Sequence, residues 1–278
     1  MNEIYGIDPE APKDLGELRA LLERFGPCNG RFIGRYPDDW YDLLGIKFSD
    51  LSGLDRSRFN RLLHLHRDSL LRTTVQYRRT KTWRENIKDS RQFHKVLVAE
   101  PNDGVFSTLE EFLWDDSEID SSRGDHIPAT IEAYCVACAP LFSISSEVHM
   151  ADRFFRLRRE SGDLDRQKFS LIRGVLEKAK SVGRCQTLVV HFEQPAYISE
   201  KRCEEQIERD LGLIQSETDI ELTYDIHKSL THGRYIFSIK GGLQFDHGFL
   251  LDRYKVNHVH WLSTGELRPI HKLFGISS

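Results

Sequence analysis

From residue 147 onward the chain alternates between two periodicities, and this alternation restricts the fold more than any other feature. "EVHMADRFF" (147–155), "CQTLVVHFEQ" (185–194) and "IELTYDIH" (220–227) are short apolar runs and read as strands. Between them, "QKFSLIRGVLEKAKSVG" (167–183) carries apolar residues at Phe169, Ile172, Leu176 and Ala179, a helical spacing stopped by Gly183. "SEKRCEEQIERDLGLI" (199–214) reads as a second helix with Ser199 as its cap. "GRYIFSIKG" (233–241) and "NHVHWLS" (257–263) complete the strands. Strand, helix, strand, helix, strand requires crossover connections, so the expected fold is α/β with a mixed, mainly parallel sheet and flanking helices.

The first half reads differently. "KDLGELRALLERFG" (13–26) and "LDRSRFNRLLHLHRDSLLRT" (54–73) are amphipathic helices, and "KVLVAE" (95–100) is a strand. "STLEEFLW" (107–114) has Ser107 and Glu110 at capping-box spacing. Residues 1–125 are therefore expected to be mostly helical, of α+β type. "DDSEIDSSRGDHIP" (115–128) is acidic and turn-rich, which places a boundary near residue 125 and a second domain over 126–278.

Composition excludes some functions. The net charge of −4 argues against a protein wrapped throughout in nucleic acid, but leaves room for a local basic face. No apolar run has the length of a membrane span, and the polar start "MNEIYGIDPEAPKD" has no signal-peptide pattern, so a cytoplasmic protein is expected. The odd count of five cysteines gives no disulfide framework, and Cys135 and Cys138 in "AYCVACAPLF" read as a buried structural pair.

Two stretches carry the candidate chemistry. "YRRTKTWRENIKDSRQFHK" (77–95) is the most basic in the chain. Its Arg78, Arg79, Lys81 and Arg84 stand beside Trp83, a pattern suited to tracking phosphates and stacking bases. The competing interpretation is a solvated face with Trp83 and Phe93 anchored in a core. The second stretch is "SLTHGRYIFSIKGGLQFDHGF" (229–249). Placed on a strand, His232 and Arg234 project to one side, with Tyr235, Phe237 and Ile239 on the other. Arginine offers a planar fork of donors for phosphate, and histidine can act as nucleophile or acid–base. Lys240 and, from the end of an earlier strand, Arg153 are further phosphate-binding candidates. Gly241 and Gly242 are read as a hairpin turn, whose amides could also help hold an anion. His258 and His260 could join Asp246 or His247 at a metal, although packed histidines are the simpler reading. No metal or cofactor is expected.

The segments "EVHMADRFFRL", "TLVVHFEQ" and "HGRYIFSIKGGLQFDHGF" resemble the phospholipase D-like superfamily over about residues 145–265, in particular its divergent single-motif members such as the domain that ends MIT-domain proteins. The resemblance implies a phosphodiester-handling site. In the active H-x-K-x4-D pattern the histidine attacks phosphorus; here His232 matches it, Arg234 stands for the lysine, and Ile239 occupies the aspartate position. Asp246 or Asp225 would have to replace the lost carboxylate. The resemblance thus implies a phosphate-binding module engaging a nucleic-acid backbone. It leaves open a homodimeric, metal-independent phosphodiesterase or nuclease with His232, Arg234 and Asp246 as catalytic residues. A third reading is a scaffolding subunit with a protein partner, in a setting such as a bacterial antiphage system.

Overall fold

The computed structural model describes residues 2–66, 70–88, 90–100, 106–114 and 124–276. The chain forms two compact units, 1–123 and 124–278. Residues 115–123 of the acidic stretch lie outside the described residues.

In the first unit the elements are β1 (Glu3–Ile7), α1 (Leu15–Glu23), β2 (Arg31–Arg35), α2 (Trp40–Lys47), α3 (Gly53–His66), β3 (Leu71–Arg72), α4 (Trp83–Ile87), β4 (Lys95–Val98), β5 (Ser107–Thr108) and α5 (Leu109–Trp114). The sheet has the order β3-β2-β1-β4-β5 and every pairing in it is parallel. Helix is the larger content, as the sequence suggests. The strands are too short to read individually, and the parallel pairing makes the unit α/β rather than α+β. The capping box forms one residue later than the spacing suggests. Thr108 Oγ1 accepts from Glu111 N, and Glu111 accepts from Thr108 N. One core face packs Tyr5, Ile7, Leu18, Leu22, Trp40 and Leu97.

The second unit contains β6 (Gly124–Ala129), α6 (Ile131–Ile144), β7 (Glu147–Ala151), α7 (Arg166–Val182), β8 (Thr187–Glu193), α8 (Glu200–Gln215), β9 (Glu221–His227), β10 (Tyr235–Ser238), β11 (Gly241–Phe245), β12 (Asp252–Trp261) and α9 (Thr264–Leu273). Its mixed sheet has the order β6-β12-β11-β10-β7-β8-β9. β7, β8 and β9 are parallel, joined by the α7 and α8 crossovers. The other four pairings are antiparallel, so parallel pairs are the minority. Caps set the crossover lengths. Asp165 accepts from the amides of Gln167 and Lys168 at the start of α7, and Gly183 ends it in the left-handed conformation. The helix α6 was not legible because it is buried nearly all round and carries little periodicity. Cys135 and Cys138 lie on it, buried with free thiols. Burial pushes the Cys135 thiol up to about 11, which suits an inert structural role.

Candidate functional site

Strand directions bring the candidate residues together. β7 and β8 run parallel, with Ala151 opposite His191, so both end on one rim. β10 runs antiparallel to β7 with Tyr235 opposite Ala151, so the chain enters β10 at that same rim. His232 and Arg234 lie just before β10, not within it. They therefore stand beside Asp152 and Arg153, which follow β7 directly.

The arginines are held by carboxylates. Arg153 Nε donates to Glu193 Oε1 at 3.2 Å, and its Nη1 lies 3.2 Å from His232 Nε2. A guanidinium only donates, so His232 Nε2 is the acceptor. The second oxygen of Glu193 accepts from Leu230 N at 2.8 Å, which fixes the segment that delivers His232. Asp152 is only 3% exposed and accepts from Phe154 N and Phe249 N. Arg234 Nε stands 3.9 Å from Asp152 Oδ1, and Nη1 donates to the Asp246 carbonyl at 2.6 Å. Gly248 is required here. Its φ is +65°, and a Cβ would come within 2.5 Å of Asp152 Oδ2 and 2.8 Å of Arg234 Cδ. Asn257 holds this turn by accepting from His247 N and donating to Gly248 O.

Phe154 completes the site. Its ring is 57% exposed, with Arg153 Cζ 5.9 Å and Arg234 Cζ 5.4 Å from its centre. Two guanidiniums thus border an exposed aromatic ring, and the His232 imidazole bonds to one of them. Beyond Glu193 opens a cavity of about 340 Å³, whose lining includes Arg156, Phe192, Glu193, Tyr197 and Arg202. Sequence reading passed over Phe154 and Gly248; the signal for both was position, immediately after a strand end and within a return turn.

Other expected residues fall elsewhere. Lys240 sits in the turn at the far end of β10, so it does not join Arg234 and His232. The Asp246 carboxylate lies 3.2 Å from His258 Nδ1, and only its main-chain oxygen meets Arg234. Among the described residues, no carboxylate is bonded to the His232 ring. β10 is central and buried on both faces, because Ile236 and Phe237 are covered alike, whereas Ile239 lies in the turn at 50% exposure. Gly241 and Gly242 belong to β11 rather than to the turn. A Cβ on Gly242 would approach Phe237 Cβ at 2.9 Å and Leu262 Cδ1 at 2.8 Å, so close packing explains that glycine.

A histidine chain crosses three strands of the same sheet. Glu147 Oε1 meets His149 Nε2, His149 Nδ1 meets His191 Nε2, and His191 Nδ1 meets His227 Nε2, each at 3.0 Å. Asp225 Oδ2 lies 3.4 Å from His191 Nδ1. Burial, then the adjacent rings of His149 and His227, pushes His191 down to about 3. Burial also lowers His149 and His227. Among the described residues, two groups of side chains can each offer metal-ligating atoms within 4.8 Å of one another: His191, Asp225 and His227, and Asp246, His258 and His260.

In the first unit the basic stretch separates into surface and core. Arg78, Arg79 and Lys81 are exposed. Trp83 is half-buried, with its ring against the core. Its Nε1 donates to Tyr36 O at 3.1 Å, and it packs with Tyr36, Ile87 and Phe93. Arg84 is half-buried.

No family model and no curated protein matches the chain. Among solved structures, it is similar to TrmBL2, described as an archaeal chromatin protein with a novel mode of DNA binding. The identity is 11%, the match covers 59% of this chain and 54% of that one, and the TM-score is 0.27. The chain therefore spans about half the length of that protein, and a likeness so slight carries no inference. No helix among the described residues is long and apolar enough to cross a membrane.

Proposed function

We propose that residues 126–278 are a phospholipase D-like module of the degenerate single-motif type that grips the phosphates of a single-stranded nucleic-acid backbone. The observation that carries this reading is the placement of Arg153 and Arg234 against the exposed Phe154 ring, with His232 bonded to Arg153. Glu193 orients Arg153, Asp152 and the Asp246 carbonyl orient Arg234, and among the described residues their remaining N–H donors have no partner and can meet phosphate oxygens. A base can stack on Phe154 while its phosphate lies against the arginines. The adjoining cavity, lined by arginines and aromatics together with Glu160, Glu193 and Asp210, offers room for a neighbouring nucleotide.

A homodimeric, metal-independent phosphodiesterase is the weaker reading. The Nε2 lone pair of His232 already accepts from Arg153, and the bonded carboxylate that would orient and charge the imidazole is not among the described contacts. Binding requires neither.

Fluorescence anisotropy of a labelled single-stranded oligonucleotide tests the proposal. Affinity should fall steeply as salt rises. Arg234→Ala should weaken it by roughly 10–100-fold, the worth of a lost charge-assisted contact. Binding that ignores salt, or that survives the combined removal of Arg153 and Arg234 in a folded protein, would refute it. Cleavage of the oligonucleotide with chelator present, lost in His232→Ala, would instead favour the phosphodiesterase.

A further inference from the structure

The histidine chain is satisfied internally and ends beside a carboxylate. Its hydrogen bonds link Glu147 to His149, His149 to His191 and His191 to His227, and Asp225 stands beside His191. The three hydrogen bonds use one N–H from each neutral ring, and Asp225 Oδ2 then faces His191 Nδ1 at 3.4 Å with no proton between them. If His149 Nε2 donates to Glu147, then His191 Nε2 donates to His149, and His191 Nδ1 is left bare towards Asp225 Oδ2 at 3.4 Å. His227 Nε2, 3.0 Å from the same Nδ1, can donate to it but leaves the carboxylate opposed. A cation placed between the two facing acceptors, His191 Nδ1 and Asp225 Oδ2, would be held by both.

We infer that His191 Nδ1, His227 Nε2 and Asp225 Oδ2 bind a divalent transition-metal ion of the zinc class. The separations of 3.0 and 3.4 Å fit the roughly 3.3 Å edge expected of a tetrahedron with metal–nitrogen bonds near 2.0–2.1 Å. Two imidazoles and a carboxylate form a borderline-soft ligand set that suits zinc and leaves a coordination position open. The chain behind them is the outer shell such a site uses. His191 donates its other N–H to His149, which donates to Glu147, and this fixes the tautomer that exposes Nδ1. His227 ligates through Nε2 once its proton moves to Nδ1, so binding need release no proton. Asp225 is 57% exposed, which gives the ion a route from solvent. This inference is independent of the nucleic-acid reading, because none of its ligands belongs to the rim site.

The test is uptake by the full chain after chelator treatment and desalting. Zn²⁺ affinity is measured by competition with a chromophoric chelator, and Co²⁺ is followed by its visible ligand-field bands. The wild type should take up Zn²⁺, and Co²⁺ should give bands of low-coordinate intensity. Asp225→Asn, at an exposed position, should weaken Zn²⁺ at least ten-fold, and His227→Gln should do the same. Glu147→Gln touches no ligand atom and should cost roughly ten-fold through the relay. Asp246→Asn with His258→Gln removes the other candidate cluster and should leave the bands intact. Absence of the bands, affinity unchanged in Asp225→Asn and His227→Gln together, or loss confined to the Asp246/His258 variant would each overturn the assignment.

Discussion

Two arginine-bearing regions of the molecule look alike in composition and differ in construction. Residues 78–84 of the first unit place exposed cations beside an aromatic that faces inward, since Trp83 hydrogen-bonds to Tyr36 and packs among apolar side chains. The rim of the second sheet does the reverse. Phe154 stays exposed, and the arginines around it are held by Glu193, Asp152 and a main-chain carbonyl. The first arrangement is a loose positive surface. The second is a pre-oriented set of donors around a stacking platform. Pre-orientation cuts the entropy lost on binding, so few fixed charges can exceed many mobile ones in specificity.

The difference can be broken experimentally. The largest effect belongs to the half-buried aromatic: Trp83→Ala should destabilise the first unit by about 2 kcal/mol, measured by chemical denaturation, through the lost packing and the lost hydrogen bond. A near-neutral result would return Trp83 to the surface.

Acid should next distinguish the units in chelator-treated protein. His191, His149 and His227 have folded-state pKa values below their ordinary value, so the unfolded chain binds protons that the fold refuses. Their stabilising effect is complete above about pH 6.5 and is lost as pH falls towards 3, at up to about 1.4 kcal/mol per pH unit for each fully shifted group. Melting of the second unit should therefore drop between pH 6.5 and 5, and a flat profile there would contradict the neutral chain.

The smaller effects sharpen the contrast in binding. Phe154→Ala should cost about 1–3 kcal/mol of oligonucleotide affinity while changing stability by less than about 0.5 kcal/mol. Combined Arg78→Ala, Arg79→Ala and Lys81→Ala should lower the logarithmic salt slope by at most about 0.7 per residue, without abolishing binding. If the triple change abolishes binding and Phe154→Ala does nothing, the roles of the two regions are exchanged.

Much of the second unit's fold was readable because its signals are local. Caps at Asp165 and Gly183, the stripe of α7 and the short apolar runs of β8 and β9 each lie within a few residues. What escaped was set by distant partners. α6 is covered on nearly all sides and lacks a polar face. β10 is four residues long, so the H-x-R pair fell before it rather than on it. The first unit's strands gave too few residues to show that they pair in parallel.

The sequence by itself determined the alternation of strands and helices, and the presence of an imidazole and a guanidinium two residues apart. Periodicity, capping and residue chemistry act over a few residues and are written in order along the chain. Only the tertiary structure decided that Arg153, Glu193 and Phe154 join that pair, that Lys240 and the Asp246 carboxylate do not, and that histidines from three strands meet in one chain. The reason is physical: which residues meet at a sheet rim depends on strand order and register, and these follow from burying the whole sheet at once.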